Sequence, residues 1–213
     1  MKLYSRDLSN FSAKSRIVIY EKGLDVEMVD PPGGMSSQEY EKLNPLGKIP
    51  ALQLDNGRMI AESEVINEYL EDKFPAEPLL PQDAEGWAAV RSYSRFHDLY
   101  LDPPMRALLP QVFGRKLAAA FIQGRLGEIN GRLDALEGMI AGPWAAGDSF
   151  TLADAALAPT IFVMVNILPM FGAKGPLEDR RKLATWWQRV QARPAPQKTL
   201  GEFQAAMAAL MKK

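Results

Sequence analysis

A few short motifs, in fixed order, hold the residues able to do chemistry. Ser9-Asn10-Phe11-Ser12 supplies hydroxyls, Asn44-Pro45-Leu46-Gly47-Lys48-Ile49-Pro50 an ammonium and a strand-leading proline, and Glu62-Ser63 an acid and a hydroxyl at a helix start. Lys48 is a point charge suited to a carboxylate. Ser63 and the unpaired backbone N–H groups of a helix start suit a second carboxylate, with Glu62 available for an ammonium. Such a set grips a short anionic peptide by its backbone and both ends. Each motif also has a plain structural reading: Ser9, Ser12 and Ser63 as helix caps, Glu62 as an acid offsetting the helix dipole. Farther on, Thr151-x-x-Asp154 has the spacing of a capping box and reads as structural.

Composition narrows the chemistry. The 213 residues contain no cysteine and one histidine, His97. Disulfides, thiolate zinc sites, cysteine nucleophiles and multi-histidine metal sites are therefore excluded, and any thiol chemistry must use a thiol brought by the substrate. No Gly-rich phosphate loop, dinucleotide fingerprint or EF-hand loop is present. A net charge of −1 gives no general attraction to nucleic acid. No uninterrupted apolar run reaches the length of a membrane span, and the first residues, Met1–Asp7, lack an apolar signal core. A cytoplasmic protein without nucleic-acid or membrane partners is the expectation.

The elements that must position these residues divide near Pro75–Gln82. Before it, the pattern predicts strands at Lys2–Tyr4 and Val26–Val29, with a helix over Ala13–Lys22 between them, ended by Gly23. Ser36-Ser37-Gln38-Glu39 opens a short helix. Pro50–Leu54 and Arg58–Ile60 are strands joined by Asp55-Asn56-Gly57, a hairpin signature, and Ser63–Phe74 is a helix stopped by Pro75. The order βαβαββα gives a mixed sheet flanked by helices. Residues 1–76 form this α/β domain, 77–83 a proline-punctuated linker and 84–213 an all-α domain. Helices are predicted there at Ala84–Tyr100, Lys116–Ile140, Leu152–Leu168 (kinked by Pro159) and Asp179–Ala192.

The chain resembles cytosolic-type glutathione transferases along nearly its whole length. The likeness rests on Leu3-Tyr4-Ser5, Ser9-Asn10-Phe11-Ser12 with Arg16-Ile17, Glu21-Lys22-Gly23, Asn44-Pro45 with Lys48-Ile49-Pro50-Ala51-Leu52, Glu62-Ser63 with Ile66 and Tyr69-Leu70, Asp148 with Thr151-Leu152-Ala153-Asp154, and Ala192-Arg193-Pro194. It implies a thioredoxin-like N-terminal domain followed by a helical domain, glutathione as co-substrate with no permanently bound cofactor or metal, and a homodimer with its face on the Ser63–Phe74 and Ala84–Tyr100 helices. Asp98 or Asp102 would then reach the glutathione of the partner subunit.

By the same resemblance Ser9 stands where the redox motif of thioredoxin-like proteins begins, and its hydroxyl would hydrogen-bond the glutathione sulfur; Ser12 and Ser5 are the alternatives, with Tyr4 behind them. Phe11, Lys48, Ile49, Pro50, Glu62 and Ser63 would bind glutathione, with Pro50 in cis and Ile49 pairing through its backbone. Tyr93, His97, Tyr100 and Met105 fall at helical spacing and would line the site of a small hydrophobic electrophile, although such residues commonly pack a core. The Ser-Ser-Cys-Ser signature of the maleylacetoacetate isomerase branch is missing, so that isomerisation is not expected. Without a cysteine at Ser9, mixed-disulfide chemistry on the protein is excluded. A glutathione-dependent peroxidase or disulfide reductase stays open, as does a non-catalytic protein resembling the stringent starvation protein A group.

Overall fold

The computed structural model describes Met1–Met211. Two compact units emerge among the described residues, Met1–Leu79 together with Ala192–Met211, and Leu80–Gln191. The first contains β1 (Lys2–Tyr4), α1 (Asn10–Glu21), β2 (Glu27–Val29), α2 (Gln38–Glu41), β3 (Ala51–Gln53), β4 (Met59–Ala61) and α3 (Ser63–Lys73). The sheet order is β2-β1-β3-β4, with β1 parallel to β2 and antiparallel to β3, and β3 antiparallel to β4. This is the thioredoxin-like arrangement that the sequence implied. Leu3 and Leu52 sit opposite each other in register and are fully buried. The β3–β4 hairpin turns through Gly57 at φ +83°, a conformation that glycine adopts without steric penalty. The Asn56 side chain accepts from Arg58 N at 3.0 Å.

Helix α1 starts at Asn10, three residues before the sequence reading began it, because Ser9 caps it: Ser9 Oγ accepts from Ser12 N at 3.1 Å. From Ser12 to Ile19 every residue of α1 is buried. The helix packs against α3 and against α10 (Pro194–Met211). The sequence reading gave no helix at α10 and assigned that segment to the helical domain. Ala195, Leu200 and Phe203 of α10 are buried, and Glu202 bonds to residues of α1, which joins this last helix to the α/β unit. Pro194 at the first position needs no backbone donor there.

The second unit contains α4 (Ala84–Phe96), α5 (Asp102–Arg106), α6 (Leu109–Val112), α7 (Ala119–Met139), α8 (Leu152–Ile167) and α9 (Arg181–Ala192). The single helix predicted over Ala84–Tyr100 is interrupted. Pro103 and Pro104 have no N–H to give the carbonyls of Leu99 and Tyr100. The turn before them widens to π spacing over His97–Leu101, with Asp102 N donating to His97 O. Helix α8 runs through Pro159, and every residue from Leu152 to Met164 is buried. The stretch Leu152–Phe171 is apolar and long enough to cross a membrane by composition, contrary to the sequence reading, but 83% of its most apolar window is buried in the protein. It is the core helix of this unit.

The capping box at its start forms as the spacing predicted. Asp154, 0% exposed, accepts from Ala145 N and Thr151 N at 2.8 Å and from Trp186 Nε1 at 2.6 Å. Burial raises its pKa, against the opposing pull of those hydrogen bonds. Trp186 and Trp187 pack beside each other as buried residues of α9.

Candidate active site

Sheet register brings three of the sequence motifs to one end of the sheet. Tyr4 closes β1, Ala51 opens β3 and Ala61 closes β4; Tyr4 pairs with Ala51, and Ala51 with Ala61. From that end the chain leaves β1 toward Ser9, enters β3 from Pro50, and leaves β4 into Glu62-Ser63.

The three candidate serines differ in access. Ser9 is partly exposed, and its oxygen is held by the Ser12 N–H while its own O–H has no acceptor among the described residues. Ser12 and Ser5 are buried, and neither hydroxyl has a partner among the described residues. Ser9 Oγ can accept from the backbone and donate to a ligand at the same time, since a hydroxyl carries one donor and two acceptor sites. The N-terminus of α1, with its positive dipole end, is directly behind it. Tyr4 is buried; its hydroxyl donates to Gln53 Oε1 at 3.3 Å and its ring lies 5.4 Å from that of Tyr40.

The Lys48 carbonyl accepts from Tyr40 Oη of α2 and from Asn44 Nδ2, both at 2.8 Å, so two side chains grip the backbone just before the proline. The Ile49–Pro50 peptide is cis, as the resemblance implied. The Lys48 ammonium projects from this held backbone into solvent, without an ion pair among the described residues. Glu62 is exposed and adopts φ +70°, ψ 120°, with no side-chain cap bond. A non-glycine residue at positive φ is a strained backbone that surrounding structure must enforce. Ser63 follows as the first residue of α3, 3% exposed. Phe11, on the first turn of α1, has the Lys14 ammonium 5.1 Å from its ring centroid.

Lys14 and Arg16 were not singled out as site residues by sequence reasoning. Lys14 is fully buried and pairs with Glu64, the neighbour of Ser63. Helical periodicity gave no sign of this, because α1 is buried on all faces and its cations look like an ordinary polar side.

Residues 3–78 match the description "Glutathione S-transferase, N-terminal domain", and residues 105–194 match "Glutathione S-transferase, C-terminal domain". Glutathione S-transferase 3 of Zea mays is 34% identical over 94% of this chain and 93% of its own length. Maleylacetoacetate isomerase of Rattus norvegicus is 33% identical over 75% of this chain and 76% of its own. A glutathione S-transferase from Methylobacillus flagellatus, solved with glutathione bound, superposes with TM-score 0.80 at 27% identity, covering 93% of this chain and 98% of that one. The chain belongs to the glutathione S-transferase family.

In this glutathione S-transferase family member, the residues expected to line an electrophile site are mostly inside the helical unit. Tyr93 is 5% exposed, and its hydroxyl donates to Met139 O. His97 is fully buried, with Nε2 2.7 Å from Thr160 Oγ1 and Nδ1 2.8 Å from Asp98 Oδ1. Met105 is buried too. These side chains pack the core rather than present a surface, and the π turn that places His97 inward was invisible to a 3.6-residue count. Tyr100 is exposed, with the Arg132 guanidinium 5.3 Å from its ring centroid. Asp102, buried, accepts from Arg106 Nε at 2.9 Å, and Asp98 faces His97. A cavity of about 350 Å³ lies elsewhere in the helical unit, lined by Gln111, Val112, Ala119, Ile122, Gln123, Met170 and Phe171.

Proposed function

We propose that this chain is a serine-type glutathione S-transferase that activates the glutathione thiolate for attack on a small apolar electrophile. Ser9 Oγ–H donates to the sulfur, Lys48 faces the glycine carboxylate, Ile49 pairs through its backbone with the cysteinyl part, and Glu62 and Ser63 take the two charged groups of the γ-glutamyl end. The observation that carries this reading is the state of the Ser9 hydroxyl: oxygen fixed by the Ser12 N–H, hydrogen uncommitted, side chain reachable. Glutathione bound to one solved relative and glutathione sulfonate bound to another support the co-substrate. A hydrogen bond to the charged form, beside a helix N-terminus, stabilises thiolate over thiol. The sulfur lone pair then forms a C–S bond while the leaving group departs with its electron pair. Among the residues that the resemblance assigns to the electrophile, Tyr100 is the exposed one. The protein acts as a cytoplasmic homodimer in this reading.

The isomerases among the relatives favour a second reading. There the thiolate adds to a conjugated double bond, the resulting single bond rotates, and the thiolate is expelled unchanged. Phe11 in place of the cysteine of the isomerase signature favours conjugation. The test is the ultraviolet thiolate band of bound glutathione, followed across pH in the wild type and in Ser9→Ala. A thiolate forming well below the pKa of about 8.5 of an unperturbed thiol, and lost in Ser9→Ala, is the expected result. Binding without that shift would point to a carrier, and no binding at all to an interaction protein. Product analysis with an aryl halide and with maleylacetoacetate separates transferase from isomerase.

A further inference from the structure

A buried charge that reaches the Ser9 loop is the guanidinium of Arg16, which is 2% exposed at the centre of α1. Its Nη1 meets Asp7 Oδ1, and its Nη2 donates to the Asp7 carbonyl at 3.2 Å. Asp7 precedes Ser9 by two residues in an exposed turn whose backbone closes through Ser9 N donating to Arg6 O at 3.0 Å. Holding the side chain and the carbonyl of one residue with one planar group fixes that peptide in orientation as well as in place. The same Nη1 donates to Glu202 Oε2 on α10 at 2.9 Å. The other oxygen of Glu202 accepts from Tyr20 Oη at 3.1 Å, and Lys198 Nζ sits 3.7 Å from the Tyr20 ring centroid.

We propose that Arg16 is a positioning residue for the thiol-binding loop, and that the C-terminal helix sets the thiolate through the relay Glu202–Arg16–Asp7. This rests on the reading of Ser9 given above. The chain's last helix would then be a working part of the glutathione site. A buried guanidinium cannot stand without acceptors, so Glu202 keeps Arg16 charged and aimed while Arg16 holds the loop. Misplacement of a reacting group by about 1 Å can lower a rate about 100-fold, and such an error at Ser9 Oγ–H weakens its bond to sulfur.

The decisive variant is Asp7→Asn. The Asp7 side chain is 55% exposed and Arg16 keeps Glu202 as a second acid, so if Asp7 only neutralises Arg16, Asp7→Asn leaves the pKa of bound glutathione at the wild-type value. As the loop's anchor, its loss raises the pKa of bound glutathione by about one unit, about a tenfold loss of thiolate near neutral pH. The KM for glutathione stays within about threefold. Glu202→Gln shifts the pKa in the same direction, and Arg16→Lys, charged but without the planar fork, does not restore it. Folding of each is checked by its thermal transition. If Asp7→Asn and Glu202→Gln hold glutathione at the wild-type pKa while Ser9→Ala does not, the positioning role is overturned and the Ser9 reading stands. If Ser9→Ala also leaves the pKa unmoved, both fall.

Discussion

Replacing Ser9 by alanine removes two hydrogen bonds that serve different ends, and their effects are separable. The first is the cap to Ser12 N at 3.1 Å. Losing a serine cap costs about 0.5–2 kcal/mol, and behind it α1 is buried from Ser12 onward, so water replaces the lost acceptor poorly and the upper half of that range applies. At about 2–4 °C per kcal/mol for a chain of this size, the melting temperature falls by about 2–8 °C. The second bond is the proposed donor to sulfur. Hydrogen bonds to charged groups contribute about 1.5–3 kcal/mol, so the thiol pKa rises by about 1–2 units. Steady-state rates with an aryl halide at saturating glutathione then drop about 10- to 100-fold at pH 6.5 and approach the wild type above pH of about 9, where the thiol ionises unaided. The KM for glutathione moves less than about threefold. Ser9→Asp separates the two roles. Aspartate is a good cap and preserves the melting temperature, yet it donates nothing and sets a negative charge beside the sulfur, so its rate falls at least as far as that of alanine. An unchanged pH–rate profile in Ser9→Ala, or a fully active Ser9→Asp, would refute the assignment.

Lys48→Ala and Glu62→Gln should show the opposite kinetic pattern: a KM for glutathione raised about tenfold each, the strength of one charged hydrogen bond, with kcat within about threefold, measured by initial rates and by calorimetry. Asp154→Ala strips the acceptor from Ala145 N, Thr151 N and Trp186 Nε1 in a fully buried place; a loss of about 3–5 kcal/mol in urea unfolding is expected, and a loss below about 1 kcal/mol would refute its role as the hub. Burial, with Asp154 adding to it, pushes the Tyr93 phenol up to about 12 from 10. Between pH 10 and 12 the unfolded chain has released this proton while the folded chain keeps it, so the stability from Tyr93 is whole below pH 10 and is lost as pH rises through 12. Wild type should therefore lose stability from pH 9 to 11 more steeply than Tyr93→Phe; equal slopes would show that the phenol is not held neutral.

Most of the fold was legible because local signals agreed with tertiary demand. Asn56-Gly57 made its hairpin, and Thr151-x-x-Asp154 made its box. What failed did so for identifiable physical reasons. Pro103 and Pro104 act backward on the preceding turn, so Ala84–Tyr100 read as one amphipathic helix while the structure inserts π spacing at His97. Helix α10 carries small residues and few bulky ones, too faint a stripe to read, yet Leu200 and Phe203 are buried. At the candidate site, Ser9, Pro50 and Glu62-Ser63 were found from motif order, and register alone explains why they share one end of the sheet. Tyr93, His97 and Met105 show the limit of spacing arguments: periodicity identifies a buried face and says nothing of whether a ligand or another side chain covers it.

Helix α1 departs furthest from a pattern-based reading. It buries two cations, Lys14 and Arg16, at positions that periodicity reads as an ordinary polar side. Each meets an acid from a different element: Glu64 of α3 for Lys14, and Glu202 of α10 together with Asp7 for Arg16. Buried ion pairs are a poor source of stability, because desolvation offsets most of the attraction, and apolar residues of like volume often serve as well or better. What charge pairs supply that leucines do not is direction: a leucine packs equally well after a small rotation of the helix, whereas a guanidinium held to two acids and a carbonyl does not. The start of α1 carries the one accessible candidate hydroxyl, and a hydrogen bond to sulfur fails with a small error in aim. Under the proposed reading of Ser9, fixing the rotation of this helix from α3 and α10 accounts for charges placed inside it.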